Sequence, residues 1–173
     1  MPLEFVTIGV YGWDAERFFA ALKAAQVDTF CDIRDRRGVR GAEYAFANSA
    51  RLQARLAEMG VRYIHRRDLA PSREVRGRQH AADLASRTAR RQRTALNPGF
   101  VDAYVRERLI GFDSQAFAAS LGSEARVVAL FCVEREPAAC HRSLLADRLA
   151  RDLGVRVRHL LPALLSSSVY SPL

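Results

Sequence analysis

Short apolar segments alternate with amphipathic segments along most of the chain, which is the pattern of strands and helices in α/β proteins. Segments rich in β-branched and aromatic residues are typical of strands. Five segments of this kind occur, and their sequences are EFVTIGV, VDTFCDIR, VRYIH, RVVALFC and VRVRHL. The sequence therefore predicts a sheet of about five strands.

Polar residues that cap helices mark the start of the amphipathic segments. Asp14 is the expected N-cap of AERFFAALKAAQ, and Ser49 is the expected N-cap of ARLQARLAEMG. A further helix is predicted after the fourth strand, over CHRSLLADRLARDLG. These helices have apolar residues three or four positions apart, so each can cover a face of the sheet.

The pattern changes between the third and fourth strands. Residues 68–122 contain helix-compatible segments and no strand pattern, so we expect a helical insertion there. Helices that connect successive strands give a mainly parallel sheet with both faces covered. The sequence predicts a single α/β domain over residues 1–161, with a Rossmann-like three-layer arrangement, followed by a C-terminal tail over 162–173.

Composition narrows the class of protein. The chain has 173 residues, of which 49% are hydrophobic and 27% are charged, as expected for one globular domain. No apolar run approaches the roughly 18 residues of a membrane span, and the N-terminus lacks the pattern of a secretory signal. Three cysteines do not make a disulfide framework. We expect a cytoplasmic protein with reduced thiols and no membrane partner.

The net charge of +8 is concentrated in one segment. Nine arginines and three acidic residues lie between Arg66 and Arg93. A basic segment of this kind is typical of nucleic-acid binding. Arginine and alanine are abundant throughout while lysine is nearly absent, and a GC-rich coding sequence produces the same bias, so nucleic acid is the less favoured partner.

Ligands bind open α/β sheets outside the carboxyl ends of the strands, so residues at these ends are site candidates. The first strand ends at Gly9, with Tyr11 and Gly12 close behind. Glycines at this point permit a tight turn or a close approach of the backbone to a ligand. Gly9 and Tyr11 are therefore candidate ligand-binding residues.

The second strand ends with an acidic and a basic residue on the same side, Asp32 and Arg34. One interpretation is that the two side chains pair with each other. The other is that Arg34, together with Arg37 and Arg40, binds an anionic group that Asp32 orients. Both interpretations are open at this point.

The fourth strand ends with Cys132 and Glu134, and Cys140, His141 and Arg142 begin the next helix. The turn between them brings all five side chains together. Free backbone N–H groups and the helix dipole favour an anion at this helix start, and they also stabilise a cysteine thiolate. Arg142 can then bind an anion, while Glu134 acts as a general base or holds Arg142.

Three interpretations of this group of residues compete. Cys140 is a nucleophilic or redox-active thiol, or the group is a structural turn with buried thiols, or Cys132, Cys140 and His141 bind a metal ion. The metal is the least favoured, because the spacing is unusual and adjacent helical residues point about 100° apart. No residue is therefore assigned as a metal ligand, and the sequence does not identify a cofactor.

The leading hypothesis is a site for an anionic small molecule, with Cys140, Glu134 and Asp32 as candidate catalytic residues. Thiol-dependent transfer or hydrolysis on a phosphorylated or carboxylated compound is its sharpest form. The alternatives are a nucleic-acid-binding module that uses residues 66–93 and a regulatory or interaction protein without catalysis.

Four segments between about Val6 and Leu160 carry a family resemblance: TIGVYGWDAERFFAAL, DIR, YAFANSARLQARLAEMGVRYIH and FCVEREPAACHRSLLADRLA. They resemble the bacterial and archaeal family called domain of unknown function 488, and the C-x-E and C-H-R signature is the most specific part. The resemblance implies an α/β fold, and it implies no activity because none is established for the family. The motif residues that it implies are Gly9, Asp32, Arg34, Cys132, Glu134, Cys140, His141 and Arg142.

The chain departs from the family pattern at the end of the first strand. Many members have a His-Ser pair after TIG, whereas this chain has Val10 and Tyr11. A mechanism that needs a histidine at this position is therefore not expected.

Overall fold

A computed structural model describes residues 2–163 and contains one sheet in which all five strands pair in parallel. The strands are β1 (Glu4–Ile8), β2 (Thr29–Asp32), β3 (Arg62–His65), β4 (Val127–Phe131) and β5 (Arg156–Leu160). The α-helices are α1 (Ala15–Ala24), α2 (Ser49–Glu58), α3 (Arg73–Ser86), α4 (Pro98–Tyr104), α5 (Ser114–Ser120) and α6 (His141–Leu153). The predicted fold, including the helical insertion between the third and fourth strands, is confirmed.

The order of the strands across the sheet is β3-β2-β4-β1-β5. After β1 the chain forms β2 two positions away in the sheet and then β3 at the edge. It later returns and inserts β4 between β1 and β2. The connections reverse direction at this point, which is where open α/β sheets bind ligands. The carboxyl ends of β1, β2 and β4 therefore meet at one edge of the sheet.

Each face of the sheet packs against its own set of helices. On one face α1 and α2 bury the side chains of Phe18, Leu22, Leu52 and Leu56 against the sheet. On the opposite face α4, α5 and α6 supply a second core, with Phe100, Tyr104, Phe117, Leu145 and Leu149. Burial of such side chains contributes about 1.5–3 kcal/mol each, which makes these two cores the main source of stability.

One predicted helix cap is confirmed and the other is wrong. Asp14 caps α1, and its carboxylate accepts a hydrogen bond from the Arg17 backbone N–H at 2.8 Å. Ser49 is instead the first residue of α2, after the N-cap residue Asn48. The Ser49 hydroxyl accepts a hydrogen bond from Gln53 inside the helix, so it is not free to cap the helix start.

No helix within residues 2–163 combines the length and the apolar character of a bilayer span. The predicted C-terminal tail lies outside the described residues from position 164 onward.

Candidate functional site

The turn after β4 crosses directly over the end of β1. A Cβ atom placed on Gly9 would lie 1.8 Å from the backbone oxygen of Glu134 and 3.1 Å from Nη1 of Arg142. No side chain larger than hydrogen fits in this space. The backbone N–H of Val10 also donates to the Val133 carbonyl at 2.8 Å, which fixes the two strand ends to each other. The close approach predicted for Gly9 is thus to the protein's own backbone.

Arg142 is fully buried and hydrogen-bonds to the backbone of this turn. Its Nη1 donates to the Glu134 carbonyl at 2.5 Å, and its Nη2 donates to the Arg135 carbonyl at 2.9 Å. Its Nε donates to the Thr7 hydroxyl at 3.3 Å. No carboxylate of the described residues pairs with this guanidinium. Arg142 therefore orders the backbone of the site and brings a buried positive charge to it.

Two sulfur atoms and one imidazole nitrogen converge beside this turn. Nδ1 of His141 lies 3.8 Å from Sγ of Cys132 and 3.9 Å from Sγ of Cys140. All three atoms lie within 4.8 Å of one another, and all three residues are buried. We call Cys132, Cys140 and His141 the sulfur cluster. Its donor atoms are of the kind that can hold a soft or borderline metal ion.

The backbone conformation of Cys140 explains why the cluster forms. Cys140 is the N-cap of α6 and has extended dihedrals, φ −140° and ψ 142°, whereas His141 is the first helical residue. The expected divergence of about 100° assumed that both residues were helical. That assumption is wrong, and the two side chains point to the same side, toward Cys132 at the end of β4.

The two clustered thiols have shifted pKa values of opposite direction. Burial opposes ionisation of Cys140, but a hydrogen bond from Cys132 and the nearby His141 and Arg142 side chains outweigh it and lower the Cys140 pKa. The hydrogen bond to Cys140, followed by burial, raises the Cys132 pKa. The third thiol, Cys31, lies apart and burial raises its pKa to about 12.

Glu134 is buried beside the cluster and is covered by two arginines of the insertion. Its Oε1 accepts hydrogen bonds from Nε of Arg90 at 2.8 Å and from Nη2 of Arg93 at 2.9 Å. Its Oε2 lies 3.8 Å from Sγ of Cys132. Arg93 also pairs with Asp83 at 2.7 Å. We call Arg90 and Arg93 the arginine latch, because they close the site over Glu134.

Asp32 and Arg34 pair with each other on the opposite face of the sheet. Nε of Arg34 donates to Oδ1 of Asp32 at 2.9 Å, and Nη2 donates to Oδ2 at 2.8 Å. The third nitrogen of Arg34 donates to the Ala47 carbonyl, and Tyr63 donates to Asp32 at 2.7 Å. Both side chains are buried. This pair supports the end of β2 from the side of α1 and α2, away from the sulfur cluster.

The remaining predicted ligand-binding residues lie around the site without converging on one point. Tyr11 packs against Tyr44 with ring centres 5.3 Å apart, and the Arg91 guanidinium lies over both rings. Arg37 and Arg40 are exposed in the loop after β2. Arg37 lies beside Tyr63, on the face of the sheet away from the sulfur cluster, and the Arg40 carbonyl accepts a hydrogen bond from Arg91 at 3.2 Å.

Sequence reasoning missed the arginine latch as part of this site. Arg90 and Arg93 were visible only as members of the basic segment, more than forty positions away from Glu134 in the chain. No periodicity or spacing pattern connects such distant residues. A surplus of arginine in the insertion was the one available signal, and it was compatible with nucleic-acid binding as well.

The site is closed in this conformation. Cys140 has 1% of its surface exposed, and Cys132 and Glu134 have 4% each. A groove of about 540 Å³ lies elsewhere, beside Phe19 and Phe46, and no residue of the sulfur cluster lines it. The cluster is therefore not open to a ligand in this conformation.

Five parallel strands covered on both faces by helices, with a buried thiol and imidazole cluster at the carboxyl edge, define a three-layer α/β protein with a candidate site at the reversal point of its sheet. The family model described as Domain of unknown function DUF488 matches residues 14–149, and the chain belongs to this family. No curated protein and no solved structure matches the chain. The family resemblance of the sequence is thus confirmed.

Proposed function

We propose that the protein binds an anionic small molecule, carrying a phosphate or carboxylate group, at the carboxyl edge of its sheet. The observation that carries this proposal is the arginine latch, in which two guanidinium groups from the insertion converge on the single oxygen Oε1 of Glu134. Paired guanidinium groups are the usual protein partners of carboxylate and phosphate oxygens. In the proposal the anionic group of the ligand takes the place of Oε1 between the two arginines.

The exposure of Arg90 supports this exchange. Arg90 is half exposed, with 55% of its side-chain surface accessible, whereas the Glu134 side chain is only 5% accessible. Arg90 can therefore turn outward without unpacking a core residue. Tyr11 and Tyr44, with Arg91 over their rings, flank the latch and offer an aromatic wall to a ligand.

The three predicted catalytic residues, Cys140, Glu134 and Asp32, have different roles in this proposal. Cys140 of the sulfur cluster is the proposed reacting group, and Glu134 lies beside the cluster, with Oε2 3.8 Å from Sγ of Cys132. Asp32 has a positioning part in the proposal, because its carboxylate is already engaged by Arg34 and Tyr63. The free state of all three cysteines supports the reducing, cytoplasmic environment that we propose for the chain.

Calorimetric titration with inorganic phosphate and pyrophosphate tests the proposal. Glu134→Gln removes the internal competitor and should strengthen anion binding, while Arg90→Gln should weaken it by about tenfold or more. Arg87→Gln is the matched control, because Arg87 is an exposed arginine of the same segment. Equal affinity of the wild type and the two site variants, or no binding by any of them, would overturn the proposal.

Contacts of the basic segment do not favour nucleic acid as the ligand. Seven of its nine arginines lie in ion pairs with carboxylates of the described residues, namely Arg66, Arg67, Arg76, Arg78, Arg90, Arg91 and Arg93. Such pairs neutralise much of the charge that a phosphate backbone would need. Nucleic-acid binding stays a prediction, and fluorescence anisotropy at low salt with a labelled oligonucleotide is the measurement that checks it.

A further inference from the structure

We infer that the sulfur cluster is a binding site for one thiophilic divalent metal ion of the zinc class, held by Sγ of Cys132, Sγ of Cys140 and Nδ1 of His141. The inference rests on the geometry of these three side chains and does not depend on the proposed anionic ligand.

The distances within the cluster fit a tetrahedral metal centre. Bond lengths of about 2.3 Å to sulfur and about 2.0–2.1 Å to nitrogen place neighbouring ligand atoms about 3.5–3.8 Å apart. The two sulfur-to-nitrogen distances are 3.8 and 3.9 Å. These are about 0.3 Å longer than the separation of about 3.6 Å that those bond lengths give between a sulfur and a nitrogen, so a bound ion would draw the three ligand atoms slightly together.

A hydrogen bond behind the imidazole orients it for this role. Nε2 of His141 lies 3.2 Å from the backbone oxygen of Ile33, at the end of β2. A carbonyl oxygen only accepts hydrogen bonds, so Nε2 carries the hydrogen and Nδ1 directs its lone pair toward the two sulfurs. Histidines that bind metals commonly make this contact to a carbonyl with their other nitrogen.

The charge of the centre suits its burial. Two thiolates and one divalent cation sum to zero, whereas an unpaired ion in a buried site is costly. Two sulfurs and one imidazole select zinc-class ions over magnesium and calcium, which prefer oxygen ligands.

Three protein ligands leave the fourth tetrahedral position open, as in catalytic zinc sites. Oε2 of Glu134 lies 3.8 Å from Sγ of Cys132, and Glu134 lies outside the group of three mutually close ligand atoms. Glu134 therefore lies next to the proposed metal ion and is not one of its ligands.

Titration of the chelator-treated protein with Co²⁺ tests the inference directly. We expect one equivalent of Co²⁺ to produce the strong visible absorption of a tetrahedral ion and a thiolate charge-transfer band, both reversed by Zn²⁺. Cys140→Ser and His141→Asn should lose this spectrum. Cys31→Ser is the matched control and should retain it, because Cys31 is a buried free cysteine outside the cluster.

Alkylation mapped by mass spectrometry gives an independent readout on the wild-type protein. Zn²⁺ should slow the alkylation of Cys132 and Cys140 by tenfold or more relative to the chelator-treated protein, and leave the rate at Cys31 unchanged. Absence of the tetrahedral spectrum in folded wild-type protein, together with alkylation rates that Zn²⁺ does not change, would overturn the inference. The phosphate titrations with Glu134→Gln and Arg90→Gln are made in metal-free buffer, so either idea can fail without the other.

Discussion

The α-carbon of Gly9 lies against the backbone oxygen of Glu134, so closely that a Cβ atom on Gly9 would come within 1.8 Å of that oxygen. The turn that carries Glu134 can cross the end of β1 only because position 9 has no side chain. Nη1 of Arg142 donates a hydrogen bond to the same carbonyl at 2.5 Å. The end of β1 and the first turn of α6 thus hold the site turn between them.

Gly9→Ala should destabilise the protein strongly, because the clash is with backbone that cannot rotate away. We expect a loss of about 3 kcal/mol or more in the free energy of unfolding, measured by urea denaturation. Gly77→Ala is the control, since Gly77 lies inside α3 with nothing within 4 Å of an added Cβ. That change should stabilise the helix by up to about 1 kcal/mol. Equal effects of the two substitutions would contradict the packing described for Gly9.

Arg142→Lys should lower stability although it keeps the positive charge. One ammonium group cannot reach both the Glu134 and the Arg135 carbonyls, so a buried acceptor loses its partner, at a cost of about 1–3 kcal/mol. Arg151→Lys, at an exposed position of the same helix, should change little. A Lys variant as stable as the wild type would contradict the stabilising part assigned to the two carbonyl hydrogen bonds of Arg142.

The Asp32–Arg34 pair predicts a large difference between two aspartates. Asp32→Asn leaves the buried Arg34 without its counter-charge and should cost about 3–5 kcal/mol of unfolding free energy. Asp68→Asn breaks an exposed pair with Arg66 and should cost less than about 1 kcal/mol. Thermal and urea denaturation of both variants measure the difference. Similar values would mean that the Asp32 pair contributes no more than a surface ion pair.

The pH dependence of stability should carry a contribution from Asp35. Hydrogen bonds from Arg67 and then Arg76 lower the pKa of this carboxyl in the folded protein. A lowered pKa stabilises the folded state above the ordinary value of about 3.9, and this stabilisation is lost as the pH falls through the folded-state pKa.

The stability advantage of the wild type over Asp35→Asn should therefore shrink as the pH is lowered from about 5 to about 3. Urea denaturation at both pH values measures it. Arg67→Gln removes one of the two cations and should reduce the pH-dependent part of the difference. An advantage of constant size at both pH values would argue against a lowered pKa.

The sequence was sufficient to predict the layers of the fold because buried strands and helices have regular patterns of apolar residues. Strands covered on both faces are apolar throughout, as in VALF of β4, and the helices that cover them keep apolar residues on one side, as Phe18 and Leu22 do in α1. Alternation along β2 also separated Asp32 from Cys31 correctly onto opposite faces. The cap of α2 was wrong by one residue, because Ser49 found a partner within the helix.

For the candidate site, the sequence located its residues at the ends of β1, β2 and β4 through the general behaviour of parallel sheets. It could not choose between pairing and ligand binding for Arg34, since both need the same residue types. The structure contains the pair. It also could not foresee that Cys140 has an extended backbone, which is what directs its sulfur toward His141.

Local periodicity, together with the rule that parallel strands end at the same edge, is enough to predict the class of fold and the edge of the sheet where a site is expected. The strand order, the separation of Asp32 and Arg34 from the sulfur cluster, and the cover of Glu134 by Arg90 and Arg93 were known only from the three-dimensional structure. Those features depend on contacts between residues far apart in the chain. Such contacts are set by the packing of whole elements, and no local pattern records them.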